Sequence, residues 1–255
     1  MEYITSGQNP KIKRVLELEQ KSQARRRDGL FVVEGRREVE RCLAAGFEAD
    51  SIFTTDPDLP VAGAARMFQV SPEVYSKIAY REGTEGVVAL VKARPLALED
   101  LRLGASPLIV VLESVEKPGN LGAVLRSADA AGADAVIVCD PLTDLYNPNL
   151  IRSSLGAAFT VPCVACGSAE AIGFLKSAGI RILTAQLQDS ELYYNTPMTG
   201  GTAIVMGTES TGLTEEWRRA ADAHIRIPML GVMDSLNVSV SAAILLFEAV
   251  RQRQL

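Results

Sequence analysis

Histidine is almost absent from this chain: of 255 residues only His224, in "ADAHIRIP", could serve as an imidazole base or ligand. A catalytic triad or a multi-histidine metal site is thereby excluded, and His224 is expected to be structural. Cysteine is scarce too. Cys42, Cys139, Cys163 and Cys166 have no framework spacing, and the single "CVAC" pair lacks the second pair that a zinc site needs. That pair lies in the strand-like run "FTVPCVAC", where positions three apart point to opposite faces, so reduced, packed thiols and no metal are expected. Long apolar runs are missing as well. "AAILLF" falls far short of the roughly 20 residues that span a bilayer, and "MEYITSGQNPKIKR" has no signal-peptide core. A cytoplasmic protein with no membrane partner is expected. No G-x-G-x-x-G follows a strand, and "GTESTGLT" lacks the Lys-Ser/Thr pair of a phosphate-cradling loop.

What remains is an ordinary globular composition, 47% hydrophobic and 22% charged. The net charge of −5 argues against a uniformly basic nucleic-acid binder, yet the charge is unevenly spread. Between Gln8 and Arg27, Lys11, Lys13, Arg14, Lys21, Arg25, Arg26 and Arg27 face only Glu17 and Glu19. Such a stripe suits phosphate, and a solvated helix face would read the same from charge alone.

Asn9 and Pro10 predict the start of a helix running to about Arg27. Strand-like "LFVVEG", a helix over Arg36–Ala45, "SIFTT", a helix near "SPEVYSKIA" and "GVVALVKA" follow. "RPLALEDLRLGASP" reads as a connector. Alternation resumes with "LIVVLE", a helix from about Pro118 to Ala131, "AVIVCD", a helix in "NPNLIRSSLG", "FTVPCVA", a helix over Ser168–Ala178, "IRILTAQ", "TAIVMG", a short helix after Gly212, "AHIRIP" and a closing helix. Continuous apolar strands alternating with helices imply a parallel α/β sheet covered on both faces.

Such sheets bind ligands beyond the carboxyl ends of their strands. Three stretches sit there. "VLESVEKPGNLGAVLRSADAAGA" places Asn120 at a helix start with Arg126 further along it. "IVMGTESTGLTEEW" carries Glu209 in a glycine-bracketed loop. "IRIPMLGVMDSLNVSVSAA" leads through Ser235, Asn237, Ser239 and Ser241 into the last helix, more small polar residues than one helix cap requires.

In this order the stretches resemble the motifs of the SpoU, or TrmH-like, branch of the SPOUT methyltransferase superfamily. "NLGAVLRSADAAGA" is similar to its first motif, "VMGTESTGL" to its second and "IPMLGVMDSLNVSVSAAILLFE" to its third. "RSSLGAAFTVP", with Ser154 and Gly156, resembles a segment between them. The resemblance implies a knotted α/β domain over 107–255, its parallel sheet closed by a deep trefoil knot. It also implies a homodimer, and methylation of an RNA ribose 2′-hydroxyl by S-adenosylmethionine without a metal. A transfer-RNA substrate, base methylation and a non-catalytic RNA-binding or ribosome-assembly role stay open at this point.

Carried over by position, the resemblance implies cofactor contacts at Gly207, Ile227 and Leu236, with Met229, Gly212 and Leu213 shaping the pocket and Thr184 and Ala185 completing it. Arg126 matches the catalytic arginine, surrounded by Asn120, Glu209, Ser235 and Asn237. Ser239 and Ser241 are expected to be packing residues. An arginine is normally always charged, so Arg126 either loses a proton in a phosphate-assisted setting or stabilises the forming alkoxide as a cation while water takes the proton. Residues 1–94, joined by a linker over 95–106, resemble the small α/β RNA-binding domain of members directed to ribosomal RNA. This favours 23S ribosomal RNA, contacted through Lys11, Lys13, Arg14, Arg25, Arg26, Arg27 and Arg36.

Overall fold

The computed structural model describes residues 1–59, 66–80, 85–208 and 210–254. The first elements are β1 (Glu2–Ile4), α1 (Pro10–Gln20), α2 (Ser22–Asp28), β2 (Leu30–Glu34), α3 (Arg36–Ala44), β3 (Ala49–Thr54), β4 (Met67–Val70), α4 (Pro72–Ile78) and β5 (Val87–Lys92). Then come β6 (Leu108–Glu113), α5 (Pro118–Ala131), β7 (Ala135–Cys139), α6 (Pro148–Ser154), α7 (Ala157–Thr160), β8 (Cys163–Cys166) and α8 (Ser168–Ser177). The last are β9 (Arg181–Ala185), β10 (Glu191–Leu192), β11 (Thr202–Met206), α9 (Glu215–Ala220), β12 (Ala223–Arg226) and α10 (Val238–Arg253). These form two units, Met1–Arg94 with Tyr146–Thr160, and Pro95–Leu145 with Val161–Leu255.

The first unit holds a five-stranded sheet in the order β1-β4-β3-β5-β2. β5 runs antiparallel to both β2 and β3, and the other pairs are parallel. Alternation along β2 explains why every residue of that strand is buried. Leu30 and Val32 join Ile12, Val15 and Leu18 of α1 on one face, while Phe31 and Val33 meet Val39 and Cys42 of α3 on the other. Ile151 and Phe159, from α6 and α7, complete that second face.

One expected helix is two. Asn9 caps α1 through Lys11 N–H, and Pro10 occupies the first turn, as the sequence predicts. At Lys21 the backbone turns extended (φ −117°, ψ 111°), so α1 stops at Gln20 and α2 begins anew at Ser22. Arg25 explains the break. Its guanidinium donates to the carbonyls of Leu18 at 2.6 Å and Glu19 at 3.0 Å, satisfying the free end of α1. The strand expected from Phe159 is also shorter: Phe159 and Thr160 finish α7, and β8 begins only at Cys163.

Arg152 of α6 sits in this unit between two acids. Its Nε lies 3.3 Å from Glu34, its Nη2 lies 3.8 Å from Glu19, and the guanidinium stacks 3.8 Å over the Tyr80 ring. Burial pushes the Glu19 carboxyl up to about 7 against the pull of Arg152, and Glu34 adds to the rise.

The second unit is a seven-stranded, wholly parallel sheet in the order β10-β12-β9-β11-β6-β7-β8. Every residue of β6, β7 and β11 is buried, as a sheet covered on both faces requires. Leu98, in the expected connector, packs into its core beside Ile109, Ile137 and Trp217. All four cysteines are free thiols, and burial pushes Cys42 up to about 12.

Candidate active site

The carboxyl ends of β9, β11 and β12 open into one cavity of about 380 Å³. Each strand contributes its own turn. Ala185 comes from β9, Gly207 follows β11, and Ile227 and Met229 follow β12. Two loops fold over this end, one from Gly207 to Leu213 and one through Asp234, Ser235 and Leu236 into α10.

The first loop is closed on itself. Thr208 N–H donates to the Gly212 carbonyl at 3.3 Å, and Gly212 N–H returns a bond to the Thr208 carbonyl at 3.1 Å. The Thr208 hydroxyl oxygen lies 2.7 Å from that of Thr211 and accepts from Thr211 N–H at 3.0 Å. Both glycines are required here. Gly212 adopts φ +67°, and a Cβ on Gly207 would collide with the Gly212 carbonyl.

Of the eight residues expected at the cofactor, Ala185, Gly207, Gly212, Leu213, Ile227, Met229 and Leu236 line this cavity. Thr184 is a correction. It is fully buried in β9 beneath the cavity, with its hydroxyl 2.6 Å from Nδ1 of His224, its register partner in β12. The lone histidine therefore steadies the strand pair under the site. Ser235 lines the cavity, and so does Ser241, which the sequence assigns to packing.

The remaining polar residues gather beside it. Asn237 caps α10 by accepting from Ser239 N–H at 3.0 Å and from the Ser239 hydroxyl at 2.7 Å, which orients its amide. The Asn237 Nδ2 then donates to Asn120 Oδ1 at 3.2 Å, joining α10 to α5. Asn120 lines a smaller pocket of about 150 Å³ whose walls share Gly207, Thr208, Ser210 and Val238 with the cavity. Arg126 lines neither. It is exposed six residues further along α5, about 9 Å along the axis, and its guanidinium makes no hydrogen bond or ion pair among the described residues. Glu209 lies outside the described residues.

Sequence reasoning missed Gln186, Leu187, Gln188, Arg218, Arg226 and Asp234 on the cavity wall. Gln186 to Gln188 and Arg226 stand where strands end, the signal that could have found them. Arg218, on α9, carried no such signal.

The cavity fits S-adenosylmethionine in kind. Apolar Leu213, Ile227, Met229 and Leu236 offer faces to an adenine, and backbone groups of the two loops stand near them. The guanidinium of Arg218, on the wall, enters no ion pair among the described residues and can meet an anionic group. No group of three or more His, Cys, Asp or Glu side chains suited to a metal ion is present among the described residues.

The basic stripe divides by burial and pairing. Arg25 is a correction: only 4% exposed and bonded to the end of α1, it has no surface to offer a phosphate. Lys13 and Arg26 are exposed without ion pairs among the described residues. Lys11 pairs with Glu2, Arg14 and Arg27 with Asp28, and Arg36 with Glu40. Exposed pairs of this kind contribute under about 1 kcal/mol and are readily exchanged for a phosphate.

Comparison with known proteins identifies the family. Residues 107–247 match the model of the SpoU rRNA Methylase family, and residues 9–89 match the MRM3-like substrate binding domain. The chain is 37% identical over 226 residues to the 23S rRNA (guanosine-2′-O-)-methyltransferase RlmB of Vibrio vulnificus, covering 86% of this chain and 91% of that one. A crystal structure of an RNA 2′-O ribose methyltransferase superposes with a TM-score of 0.86 at 40% identity, covering 99% of this chain and 100% of the other. An AdoMet-bound rRNA methyltransferase from Sinorhizobium meliloti superposes with a TM-score of 0.90 at 29% identity, covering 98% and 97%.

Proposed function

This chain belongs to the SpoU rRNA methylase family, and we propose that it methylates the 2′-hydroxyl of a guanosine ribose in 23S ribosomal RNA. It is an RNA 2′-O-methyltransferase that uses S-adenosylmethionine. The observation that carries the reading is the cavity at the ends of β9, β11 and β12, with the Asn120–Asn237 pair standing beside its wall.

Gly207, Gly212, Leu213, Ile227, Met229 and Leu236 would hold the cofactor, which when bound supplies an electrophilic methyl group on a positively charged sulfur. A ribose hydroxyl is a weak nucleophile until its proton leaves or its developing charge is stabilised. Arg126 fills that role, either giving up its own proton with the help of an RNA phosphate and then taking that of the hydroxyl, or remaining a cation beside the forming alkoxide while water takes the proton. Asn120, Ser235 and Asn237 orient the ribose, and Glu209 belongs with them by its place in the second motif. The exposed Lys13 and Arg26, with Lys11, Arg14, Arg27 and Arg36, hold the RNA backbone.

The protein works as a homodimer in the cytoplasm, with its C-terminal chain threaded as the family's trefoil knot. Exposed Leu230 (98%), Met233 (74%), Val240 (46%) and Phe247 (48%) on the cavity loop and α10 support a second copy packed there. Titration calorimetry with S-adenosylmethionine, then labelled-methyl transfer to size-fractionated unmodified RNA, tests the whole reading. Label in the large ribosomal RNA, protecting one nucleotide from alkaline cleavage, is expected. Label confined to transfer RNA would overturn the substrate, and folded protein that binds no cofactor would leave a non-catalytic RNA binder.

A further inference from the structure

Arg218 is fixed at its base and unsatisfied at its tip. Its neighbour Trp217 is fully buried and donates from Nε1 to the Ser168 hydroxyl at 2.9 Å, so α9 has little freedom to move. From that helix the Arg218 side chain reaches the cavity wall. Its Nη2 lies 4.0 Å from where a Cβ on Gly212 would stand, beside the closed loop that follows β11. Yet its Nε is buried without a hydrogen-bond partner, and the guanidinium enters no ion pair among the described residues.

A half-buried guanidinium on a cavity wall with no ion partner gains most from an acceptor that arrives in the cavity. No described wall residue accepts from the Arg218 side chain. Asp234, the one acid among the described wall residues, accepts instead from the Ser235 hydroxyl at 3.1 Å.

We propose that Arg218 is a cofactor-binding residue, the terminal nitrogens of its guanidinium donating to an acceptor of S-adenosylmethionine, either the carboxylate of the methionine half or a ring nitrogen of the adenine. The assignment rests on the reading of this cavity as the cofactor site. Its half-buried place on the cavity wall separates Arg218 from the exposed basic residues of the chain, which stand where an RNA backbone can reach them. No base, metal or proton step is asked of it.

The test is titration calorimetry of the full chain and its Arg218→Met variant, which keeps the apolar stem and loses every donor. S-adenosylmethionine and 5′-methylthioadenosine, which lacks the carboxylate, are the two probes. Arg218→Met is expected to melt as the parent does and to bind S-adenosylmethionine about tenfold to a hundredfold more weakly, the usual effect of one charge-assisted bond. Unchanged 5′-methylthioadenosine affinity assigns the carboxylate, and an equal loss assigns the adenine. Equal S-adenosylmethionine affinity in parent and variant overturns the proposal. So does a variant that loses affinity for RNA and not for the cofactor, because Arg218 then serves a phosphate. A parent that binds no cofactor overturns the cavity reading itself, a result distinct from the first. Should Arg218→Met fail to fold, Arg218→Lys, which keeps the charge without the planar fork, is expected to bind more weakly than the parent, and parent-like affinity in it overturns the proposal.

Discussion

Glu113, the last residue of β6, accepts two hydrogen bonds from Thr214, one from its backbone N–H at 2.9 Å and one from its hydroxyl at 2.6 Å. Thr214 ends the loop that begins at Gly207, and Met206 lies beside Leu112 in the sheet. A buried carboxylate thus ties the far end of this loop to the strand next to the one it left. Strand order and loop closure together set the cavity's shape.

Glu113→Ala should therefore leave Thr214 N–H and hydroxyl without their acceptor and loosen the loop over the cavity. We expect a stability loss of about 2 kcal/mol and weaker S-adenosylmethionine binding, with RNA affinity unaltered. A thermal melt and a cofactor titration check both. Unchanged cofactor affinity in a destabilised variant would make Glu113 a structural residue only.

Arg25 and its two neighbours should part company on substitution. Arg25→Ala removes the donors to the Leu18 and Glu19 carbonyls and should cost about 2 kcal/mol of stability without changing the salt dependence of RNA binding. Arg26→Ala with Arg27→Ala should leave the melt unchanged and flatten the plot of log affinity against log salt by about one unit for each phosphate no longer neutralised. An unaltered slope would remove this face from the RNA site.

Much of this was legible in the chain, for physical reasons that differ from place to place. The continuous apolar runs of β6, β7 and β11 announce a doubly covered parallel sheet, and Asn9-Pro10 announces a helix start, because local chemistry dictates them. The break at Lys21 was not legible. "KSQARRR" continues a helical pattern, and only the burial of Arg25 against the end of α1 decides otherwise. Likewise Glu113 and Thr214 are 101 positions apart, and Arg218 faces the cavity from a helix that carries no motif. Pairings made by tertiary closure leave no trace in spacing.

The first unit should lose stability as the pH rises from about 5 toward 7. Burial raises the folded Glu19 carboxyl to about 7, above its ordinary value of 4.5, so over this window the folded state holds the proton and the unfolded chain does not. Stability falls wherever the folded state binds more protons, and is fully present only below the unfolded value. Arg152 limits the penalty without removing it. Melting curves at about pH 5 and pH 7 should differ in the parent, and Glu19→Gln should flatten the difference. A parent with no such slope would mean that Glu19 stays ionised in the fold.

Arg126 and Asn237 offer the cleanest separation of chemistry from structure. Arg126 is exposed on α5 with no partner among the described residues, so Arg126→Ala should change stability by no more than about 0.5 kcal/mol. If it acts on the ribose hydroxyl, methyl transfer should nonetheless vanish while cofactor affinity persists. Asn237 does two jobs at once, capping α10 at Ser239 and donating to Asn120. Asn237→Ala should lose about 1 kcal/mol of stability along with turnover, and Asn237→Ser, which can still cap, should recover the stability and not the rate. A single-turnover methyl-transfer assay beside a thermal melt distinguishes them. Near-normal turnover in Arg126→Ala would move the proton-handling role to another residue, because the variant's fold would be intact and its chemistry unimpaired.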